Sequence, residues 1–364
     1  AVGRGGLIGG STTGYSVGEI DPNKSKYWKK NLNILISGSN GVSDYANKFG
    51  EPSLVGYCRV FGLDINQIDE KIERIEYIKP ILFSGGLGQI DDLHIKKLNP
   101  EKDMLILKVG GPAYKIGVGG GAFSSREQNT QNINHDLNAV QRGDPEMENK
   151  LNRMIKTCIE MGPDNPILSI NDQGAGGNAN AIKEMLYPNG GVVNLDNIKL
   201  GDDTMNALEI WISEYQENNV ILINENKLSI LESISKRENI DLNVVGMVTN
   251  TGNVEVYFKC DKVIDLPLEP ILGDDFPKRI YDVSKVNKTP ILKSFILPQT
   301  NLIDVLKRIL SLPSVGSKRF LTNKIDRSVT GLVAQQQCVG PLHTPLSNYG
   351  IIVQSYFNQT GVVV

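Results

Sequence analysis

The stretch MLILKVGGPAYKIGVGGGAFSS, residues 104–125, decides how the central part of the chain folds. Residues 104–109 form an apolar run of strand length, and a glycine-rich segment follows at once. Glycine has no side chain, so such a segment can come close to other backbone or to a ligand. The stretch therefore predicts a buried strand whose following loop belongs to a packed turn or a binding site.

The residues after this stretch predict a mixture of helices and strands. Asp144 is a suitable N-cap, Pro145 suits the first helical position, and Gly162 is a plausible stop for the helix between them. Further helices are expected at 178–186 and 227–237, and strands at 167–170, 207–213 and 219–223, with a hairpin of 242–248 and 254–258. Because strands and helices do not alternate strictly, an α+β fold is favoured over a doubly wound sheet.

Composition narrows the classes of partner. The 364 residues include 38 Lys and Arg against 41 Asp and Glu, a net charge of −3. This balance gives no reason to expect nucleic acid as a partner, and no apolar run approaches the roughly 18 residues that a membrane span needs. The four cysteines form no Cys-x-x-Cys pair, which favours a reduced, cytoplasmic setting.

The second half of the chain contains a predicted linker and the start of another domain. Residues from about 263 to 290 are polar and spaced by prolines, which is typical of a linker. Apolar residues at helical spacing begin after Asn301 and predict a helix there.

Residues 117–121 have three possible interpretations from the sequence alone. The glycines Gly117, Gly119 and Gly120 follow a strand, as in a dinucleotide-binding turn, but residues 124–134 are a poor helix. A loop whose backbone amides hold a phosphate is the second interpretation, and a purely structural turn is the third.

Four polar residues are candidates for ligand contacts. Asp172 lies between a predicted strand and a glycine loop, where it can ligate Mg²⁺ or cap the next turn. Glu214 and Gln216 end a predicted strand with their side chains on one face, so both can meet a ligand or solvent. Gln141 precedes the capped helix and can bind a ligand or its own loop.

Five segments in order resemble large-type phosphoribosylformylglycinamidine synthases over essentially the whole chain. The segments are GGPA at 110–113 with GVGGGAFSS at 117–125, VQRGDPEME at 140–148, DQGAGG at 172–177, EIWISEYQE at 209–217, and DRSVTG at 326–331 with VGP at 339–341.

The resemblance implies a tandem fold that is similar to aminoimidazole ribonucleotide synthetase. Residues 1–95 would end a first N-terminal domain, 96–262 would form its C-terminal domain, 263–290 the linker, and 291–364 the start of a second N-terminal domain. It also implies a catalytic histidine segment upstream of Ala1, so no catalytic residue is expected in this chain. A glutaminase domain is expected downstream on the same polypeptide.

The resemblance implies an ATP- and glutamine-dependent ligase of purine biosynthesis. In the family, ATP phosphorylates the amide oxygen of formylglycinamide ribonucleotide, and glutamine-derived ammonia displaces the phosphate from the iminophosphate. By position, Asp172 and Asn348 match magnesium ligands. The positions that match substrate contacts are Gln141, Glu214, Tyr215 and Gln216, with the turn glycines Gly117, Gly119 and Gly120.

Three departures from the family pattern leave alternatives open. Tyr215 stands where a small serine is usual, Asn171 where His or Gln is usual, and Asn348 where an Asp ligates magnesium. A non-catalytic descendant that serves as a binding or assembly module is therefore the second hypothesis. An unrelated nucleotide-binding enzyme is the third, and tight binding of NAD would favour it.

Overall fold

The computed structural model divides the chain into two units, which are described separately. The first consists of Ala1–Gly9, Lys48–Gly50 and Leu87–Phe276, and the second of Gly10–Asn47, Glu51–Gly86 and Pro277–Val364. The residues that the structure describes are 2–66, 72–119, 143–215, 217–274, 279–281, 301–322, 324–342, 347 and 349–364.

The N-terminal part of the chain forms a four-stranded sheet with one long helix. Its elements are β1 (Leu7–Gly18), α1 (Trp28–Phe49), β2 (Ser53–Asn66), β3 (Ile72–Glu76) and β4 (Ile81–Gln89), and the strand order is β3-β2-β1-β4. Strands β1 and β2 are parallel, which requires a long crossover connection, and helix α1 lies in that connection.

A seven-stranded sheet with helices on both faces forms the core of the first unit. Its elements are β5 (Leu105–Gly110), α2 (Pro145–Ile159), β6 (Ser169–Asp172), α3 (Gly177–Leu186), β7 (Gly191–Asn194), α4 (Ala207–Ile212), β8 (Asn218–Ile223), α5 (Leu228–Glu238), β9 (Asp241–Val248), β10 (Asn253–Phe258), β11 (Asp261–Pro267) and α6 (Glu269–Leu272). The strand order is β11-β10-β7-β9-β5-β8-β6, and β5 pairs antiparallel with both β8 and β9.

Side-chain alternation along β5 explains the two-sided core. Leu105, Leu107 and Val109 pack with buried residues of α2 and α5, whereas Ile106 packs on the opposite face with residues of α3 and α4. The side chain of Lys108, two residues after Ile106 in the strand, points to the same face as Ile106 and is buried there. All six residues of β5 are buried, which confirms the buried strand predicted from the sequence.

The predicted capped helix is confirmed as α2. The Asp144 carboxylate accepts a hydrogen bond from the Met147 amide at 3.1 Å, and Pro145 is the first helical residue. The helices predicted at 178–186 and 227–237 are confirmed as α3 and α5, each within one residue of the predicted ends.

The predicted strand at 207–213 is wrong, because these residues form α4. Asn206 and Glu209 make a capping box: the Asn206 side chain accepts from the Glu209 amide at 3.0 Å, and the Glu209 carboxylate accepts from the Asn206 amide at 3.1 Å. This reciprocal pair satisfies two amides at the start of the helix, and it outweighs the preference of the apolar run for a strand.

The predicted hairpin of 242–248 and 254–258 is also wrong in its pairing, although both strands exist. Strand β7 lies between β9 and β10 and pairs with each of them. The hairpin partner of β10 is β11, across a turn in which Lys259 and Cys260 both have positive φ. Strand β11 takes up the beginning of the stretch predicted as a linker, because Leu268 just beyond it is buried in the core.

The C-terminal part of the chain contains two short helices and a small antiparallel sheet. The elements are α7 (Leu302–Leu310), α8 (Arg319–Thr322), β12 (Val333–Gln335), β13 (Ile351–Val353) and β14 (Gly361–Val363), with strand order β12-β13-β14. The helix predicted after Asn301 is confirmed as α7, and the Asn301 side chain caps it by accepting from the Ile303 amide at 3.0 Å.

Candidate functional site

Three of the segments singled out in the sequence meet in the first unit, around Glu214. The Glu214 amide donates to the Ile116 carbonyl at 3.0 Å, in the loop that follows β5. The Glu214 carboxylate accepts from the Gly176 amide at 3.1 Å, in the loop that follows β6. Glu214 therefore fixes the glycine turn after β5 and the glycine loop after β6 relative to each other.

Two glycines make the close approach of these loops possible. Gly110 has φ of +131°, and a Cβ there would lie 2.2 Å from the Glu217 carbonyl oxygen. Gly117 has φ of +63°, and a Cβ there would lie 2.8 Å from the Cβ of Glu214. A larger residue at either position would push the β5 loop away from the segment around Glu214.

The Glu214 carboxylate lies at the N-terminus of α3. Gly176 is the N-cap of this helix and brings no capping side chain, and Glu214 accepts the amide hydrogen of Gly176 itself. The positive end of the helix dipole favours a negative charge at this place. The arrangement fixes the direction of the carboxylate.

Asp172 ends β6 with an exposed side chain, and charged groups surround it. Lys97 donates to the Asn171 side chain, which in turn donates to the Ala181 carbonyl of α3 at 3.0 Å. Burial lowers the pKa of Lys97, and the charges of Glu184 and Asp172 oppose that shift. Burial raises the pKa of Glu148 on α2, and repulsion by Asp172 raises it further.

The side chain of Tyr215 points into the core. Tyr215 is 2% exposed, and its hydroxyl accepts a hydrogen bond from the Asn178 side chain at 2.6 Å. Burial raises the pKa of the phenol to about 12, and hydrogen bonds from Gln173 and Asn178 partly oppose that shift. The Tyr215 ring therefore has almost no exposed surface for a ligand. Its backbone, rather than its side chain, lies beside the loops that meet at Glu214.

The other predicted contacts are only partly described. Gly119 has φ of +67°, which agrees with a tight turn in this loop. Gln141, Gln216, Gly120 and Asn348 lie outside the described residues. The prediction that Glu214 and Gln216 end a strand with their side chains on one face is wrong for Glu214, because Glu214 follows helix α4. Among the described residues, no three His, Cys, Asp or Glu side chains cluster as a metal site.

A separate cavity of about 530 Å³ lies in the second unit. Residues of β1 and β2 form one wall, and residues 314–318, Leu321, Ile325, Arg327, Gln337 and Ser347 complete the lining. Two cationic side chains, Lys318 and Arg327, face it together with several serines. The Nη1 atom of Arg327 is buried and, within the described part of the chain, has no hydrogen-bond partner. Cationic and hydroxyl groups around such a cavity suit a phosphorylated ligand.

Three residues near the first site were missed by the sequence analysis. Lys97 and Lys108 contact the loops described above, and Asn178 binds the Tyr215 hydroxyl. The sequence contains a clue to Lys108, because a lysine within an apolar strand is buried if that strand lies in the centre of a sheet. Lys97 had none, because it lies in a polar loop 75 residues before Asp172 in the chain.

Comparisons with known proteins agree on one family. Residues 101–259 match the family model described as "AIR synthase related protein, C-terminal domain", and residues 317–364 match the "FGAR-AT PurM_N-like domain". Over 99% of its length the chain is 47% identical to the phosphoribosylformylglycinamidine synthase of Drosophila melanogaster. It is 42% identical, over 97% of its length, to that of Homo sapiens.

The chain belongs to the phosphoribosylformylglycinamidine synthase family. It spans 27–29% of the length of these curated relatives, which include a "probable" synthase of Arabidopsis thaliana that is described as chloroplastic/mitochondrial and is 46% identical. The resemblance found in the sequence is thereby confirmed.

Solved structures of this family share the fold of the chain. PurL of Thermotoga maritima in complex with FGAR superimposes with a TM-score of 0.59 over 84% of this chain and 46% of PurL, at 22% identity. The structure of PurLQS from the same organism gives a TM-score of 0.60 over 97% of this chain and 48% of that one, at 18% identity. The expected aminoimidazole ribonucleotide synthetase-like fold is confirmed.

Among the described residues, no helix combines the length and the apolar composition that crossing a bilayer requires.

Proposed function

We propose that this chain forms part of a glutamine- and ATP-dependent ligase that converts formylglycinamide ribonucleotide to formylglycinamidine ribonucleotide in purine biosynthesis. The names of the relatives support this assignment, and so do the Thermotoga maritima PurL structures in complex with FGAR and with ATP. The family matches at 101–259 and 317–364 support the proposed domains at 96–262 and 291–364.

The observation that carries the proposal is the meeting of three loops around Glu214. Two hydrogen bonds, to Ile116 and from Gly176, hold this residue between the glycine turn and the Asp172 loop. In the proposed site, Glu214 and the turn at Gly117 contact formylglycinamide ribonucleotide, with Gly119, Gly120, Gln141 and Gln216 from the neighbouring loops. A fixed carboxylate and close backbone can orient a polar substrate before the reaction.

Mg²⁺ is the metal that this site is proposed to use, and the described residues fit it. Asp172 is an exposed oxygen donor, and Mg²⁺ typically takes only one or two carboxylates from a protein. Burial raises the pKa of Glu148, and repulsion by Asp172 adds to that rise; a cation would relieve this repulsion. When bound, Mg²⁺ would neutralise phosphate charge during phosphoryl transfer.

The cavity in the second unit is the proposed nucleotide site of this chain. The unsatisfied Arg327 guanidinium and the Lys318 ammonium suit the phosphates of ATP. Ser347 lines the same cavity, and Asn348, the second proposed magnesium ligand, is the next residue along the chain.

The remaining parts of the proposal concern groups outside this chain. ATP would phosphorylate the substrate amide to give an iminophosphate, and ammonia from a glutaminase domain of the same polypeptide would displace the phosphate. A cytoplasmic location remains a prediction. It is consistent with four cysteines that form no disulfide.

The alternative of a non-catalytic descendant loses the argument that was drawn from Tyr215. It depended on a bulky phenol at position 215 that would obstruct the site. In the structure the Tyr215 ring packs in the core and its hydroxyl is bound by Asn178, so the phenol does not occupy the space between the loops.

An assay with the complete polypeptide tests the proposal. With formylglycinamide ribonucleotide, glutamine and ATP–Mg²⁺, the product and ADP are quantified by chromatography and mass spectrometry. We expect turnover by the wild type, and a 10- to 100-fold lower kcat/KM for Glu214→Gln, since a hydrogen bond to a charged group contributes about 1.5–3 kcal/mol.

The matched control is Glu225→Gln, which removes an exposed carboxylate at the end of β8 and should leave turnover unchanged. Absence of product with the wild type, or equal rates for Glu214→Gln and Glu225→Gln, would contradict the proposed site.

A further inference from the structure

Lys108 is a buried lysine in the middle of the central strand β5. It is 1% exposed, although lysine is almost never fully buried unless it is paired. Its neighbours in the strand are apolar, and it faces the same side of the sheet as Ile106. A methionine at this position would fill a similar volume without burying a charge, so packing alone does not explain the lysine.

The Lys108 ammonium has two partners, and both lie in segments that meet at Glu214. It donates a hydrogen bond to the Gly111 carbonyl at 2.6 Å, at the start of the glycine-rich loop. It also lies 5.2 Å from the centroid of the Tyr215 ring, within the range of a cation–π interaction. Lys108 therefore joins the glycine loop to the residue that follows Glu214.

Tyr215 extends this connection to α3. Its hydroxyl accepts from the Asn178 side chain at 2.6 Å, and the same Asn178 amide group donates to the Ile210 carbonyl of α4 at 2.9 Å. The contacts run from the Gly111 carbonyl through Lys108, Tyr215 and Asn178. The three loops of the proposed site are thus connected through the buried side chains of Lys108, Tyr215 and Asn178.

Several buried polar atoms near Lys108, Tyr215 and Asn178 lack a hydrogen-bond partner among the described residues. Gln173 Oε1, Asn178 Oδ1 and Ser213 Oγ are buried and have no hydrogen-bond partner among the described residues. Each belongs to one of the segments that meet at Glu214 or to its immediate neighbour. Buried polar atoms without partners are rare in native proteins and concentrate where structure serves function.

We propose that Lys108 is a positioning residue, which holds the glycine turn and Glu214 in their binding arrangement through the Gly111 carbonyl and the Tyr215 ring. This inference rests on the proposed substrate site. Lys108 itself does not touch substrate, because its ammonium is enclosed by the core and directed at Gly111 and Tyr215. It acts on binding through the loops, and the phenol of Tyr215 is its partner.

The test compares Lys108→Met with Lys102→Met in the complete polypeptide. Lys102 is an exposed lysine in the turn before β5 and serves as the matched control. The first measurement is amide hydrogen exchange of Glu214 and Gly176, whose amides make the two hydrogen bonds that hold the loops. We expect exchange at both amides to become at least tenfold faster in Lys108→Met, with no change in strand β7 and no change in Lys102→Met.

The second measurement separates positioning from a general loss of structure. For Lys108→Met we expect the KM for formylglycinamide ribonucleotide to rise at least tenfold while kcat changes less than threefold, because the substrate loops loosen and the reacting groups remain. A purely structural role would lower the amount of active enzyme and leave KM unchanged. Unchanged exchange at Glu214 and Gly176, or an unchanged KM in an active enzyme, would overturn the inference.

A second variant covers the case in which Lys108→Met does not fold. Tyr215→Leu removes the ring and leaves the lysine, and it should give the same faster exchange at Glu214 and Gly176. Wild-type exchange rates in a folded Tyr215→Leu protein would overturn the inference. If the wild-type polypeptide has no ligase activity, the proposed function fails, and hydrogen exchange alone then decides the role of Lys108.

Discussion

The buried ammonium of Lys108 makes the stability of the first unit depend on pH in a way that Lys108→Met should abolish. Burial lowers the pKa of Lys108 from 10.5 to about 7, and the nearby charges act in opposite directions: Asp241 raises the pKa and Lys199 lowers it. In the unfolded chain the lysine keeps its ordinary pKa. Between these two values the unfolded state binds more protons than the folded state.

The sign and the size of the effect follow from this difference. Where the unfolded state binds more protons, stability rises with pH, so the wild type gains stability relative to Lys108→Met as pH rises above 7. Each pH unit well inside the window contributes about 1.4 kcal/mol. Between pH 6 and pH 9 the wild type should therefore gain about 2.5 kcal/mol over Lys108→Met. The same stabilisation is lost as pH falls towards the folded-state pKa.

Urea denaturation followed by tryptophan fluorescence can measure this difference. The chain has two tryptophans, Trp28 and Trp211, and Trp211 is a buried core residue of helix α4. A Trp28→Phe background leaves Trp211 as a reporter of the first unit alone. Lys102→Met in the same background is the control, and its stability relative to the wild type should not change with pH.

One result would refute the reasoning. If the difference between the wild type and Lys108→Met is the same at pH 6 and pH 9, Lys108 does not change its protonation in this range, and burial does not depress its pKa as described.

Three further predictions use the same protein. Asn206→Ala should lower the free energy of unfolding by about 1 kcal/mol in the fluorescence assay, because it removes a helix cap; no change would mean that the cap is not formed. Gly177→Ala should cost about 2 kcal/mol or more, since φ is +59° and a Cβ would lie 2.3 Å from the Ser213 carbonyl oxygen. A wild-type urea midpoint would contradict that geometry. Ellman's reagent at pH 8 should modify exposed Cys260 well before Cys158, whose pKa burial raises to about 12; the reverse order would refute the burial of Cys158.

The parts of the fold that the sequence predicted are those with strong local signals. Strand β5 is an apolar run, interrupted by Lys108, that ends in glycines, and α2 has a capping aspartate followed by proline. In both cases the local preference and the tertiary environment agree, so the pattern alone was sufficient.

The parts that were mispredicted depend on side-chain caps or strand pairing that the apolar pattern does not reveal. The six residues of α4 are apolar enough to suit a strand, and only the reciprocal hydrogen bonds of Asn206 and Glu209 identify a helix. The pairing of β9 with β10 failed because β7, a strand of four residues from 50 positions earlier in the chain, lies between them. Local sequence does not reveal an insertion of this kind.

The candidate site followed the same division. The chemical types of Asp172, Glu214 and the turn glycines were evident from the sequence, and the structure brings their segments together. The orientation of Tyr215 was not evident, because it depends on Lys108 and Asn178, which lie 107 and 37 positions before it. A side chain whose partners are that remote can be assigned to a site or to a core only in three dimensions.

The most direct test of the central claim is hydrogen exchange of the complete polypeptide with and without formylglycinamide ribonucleotide. The account predicts slower exchange on binding in the three segments around Glu214, which are residues 111–119, 172–177 and 214–217, and no change in helix α5, residues 228–238. Binding that protects other segments and leaves these three unchanged would contradict the claim that they form the substrate site.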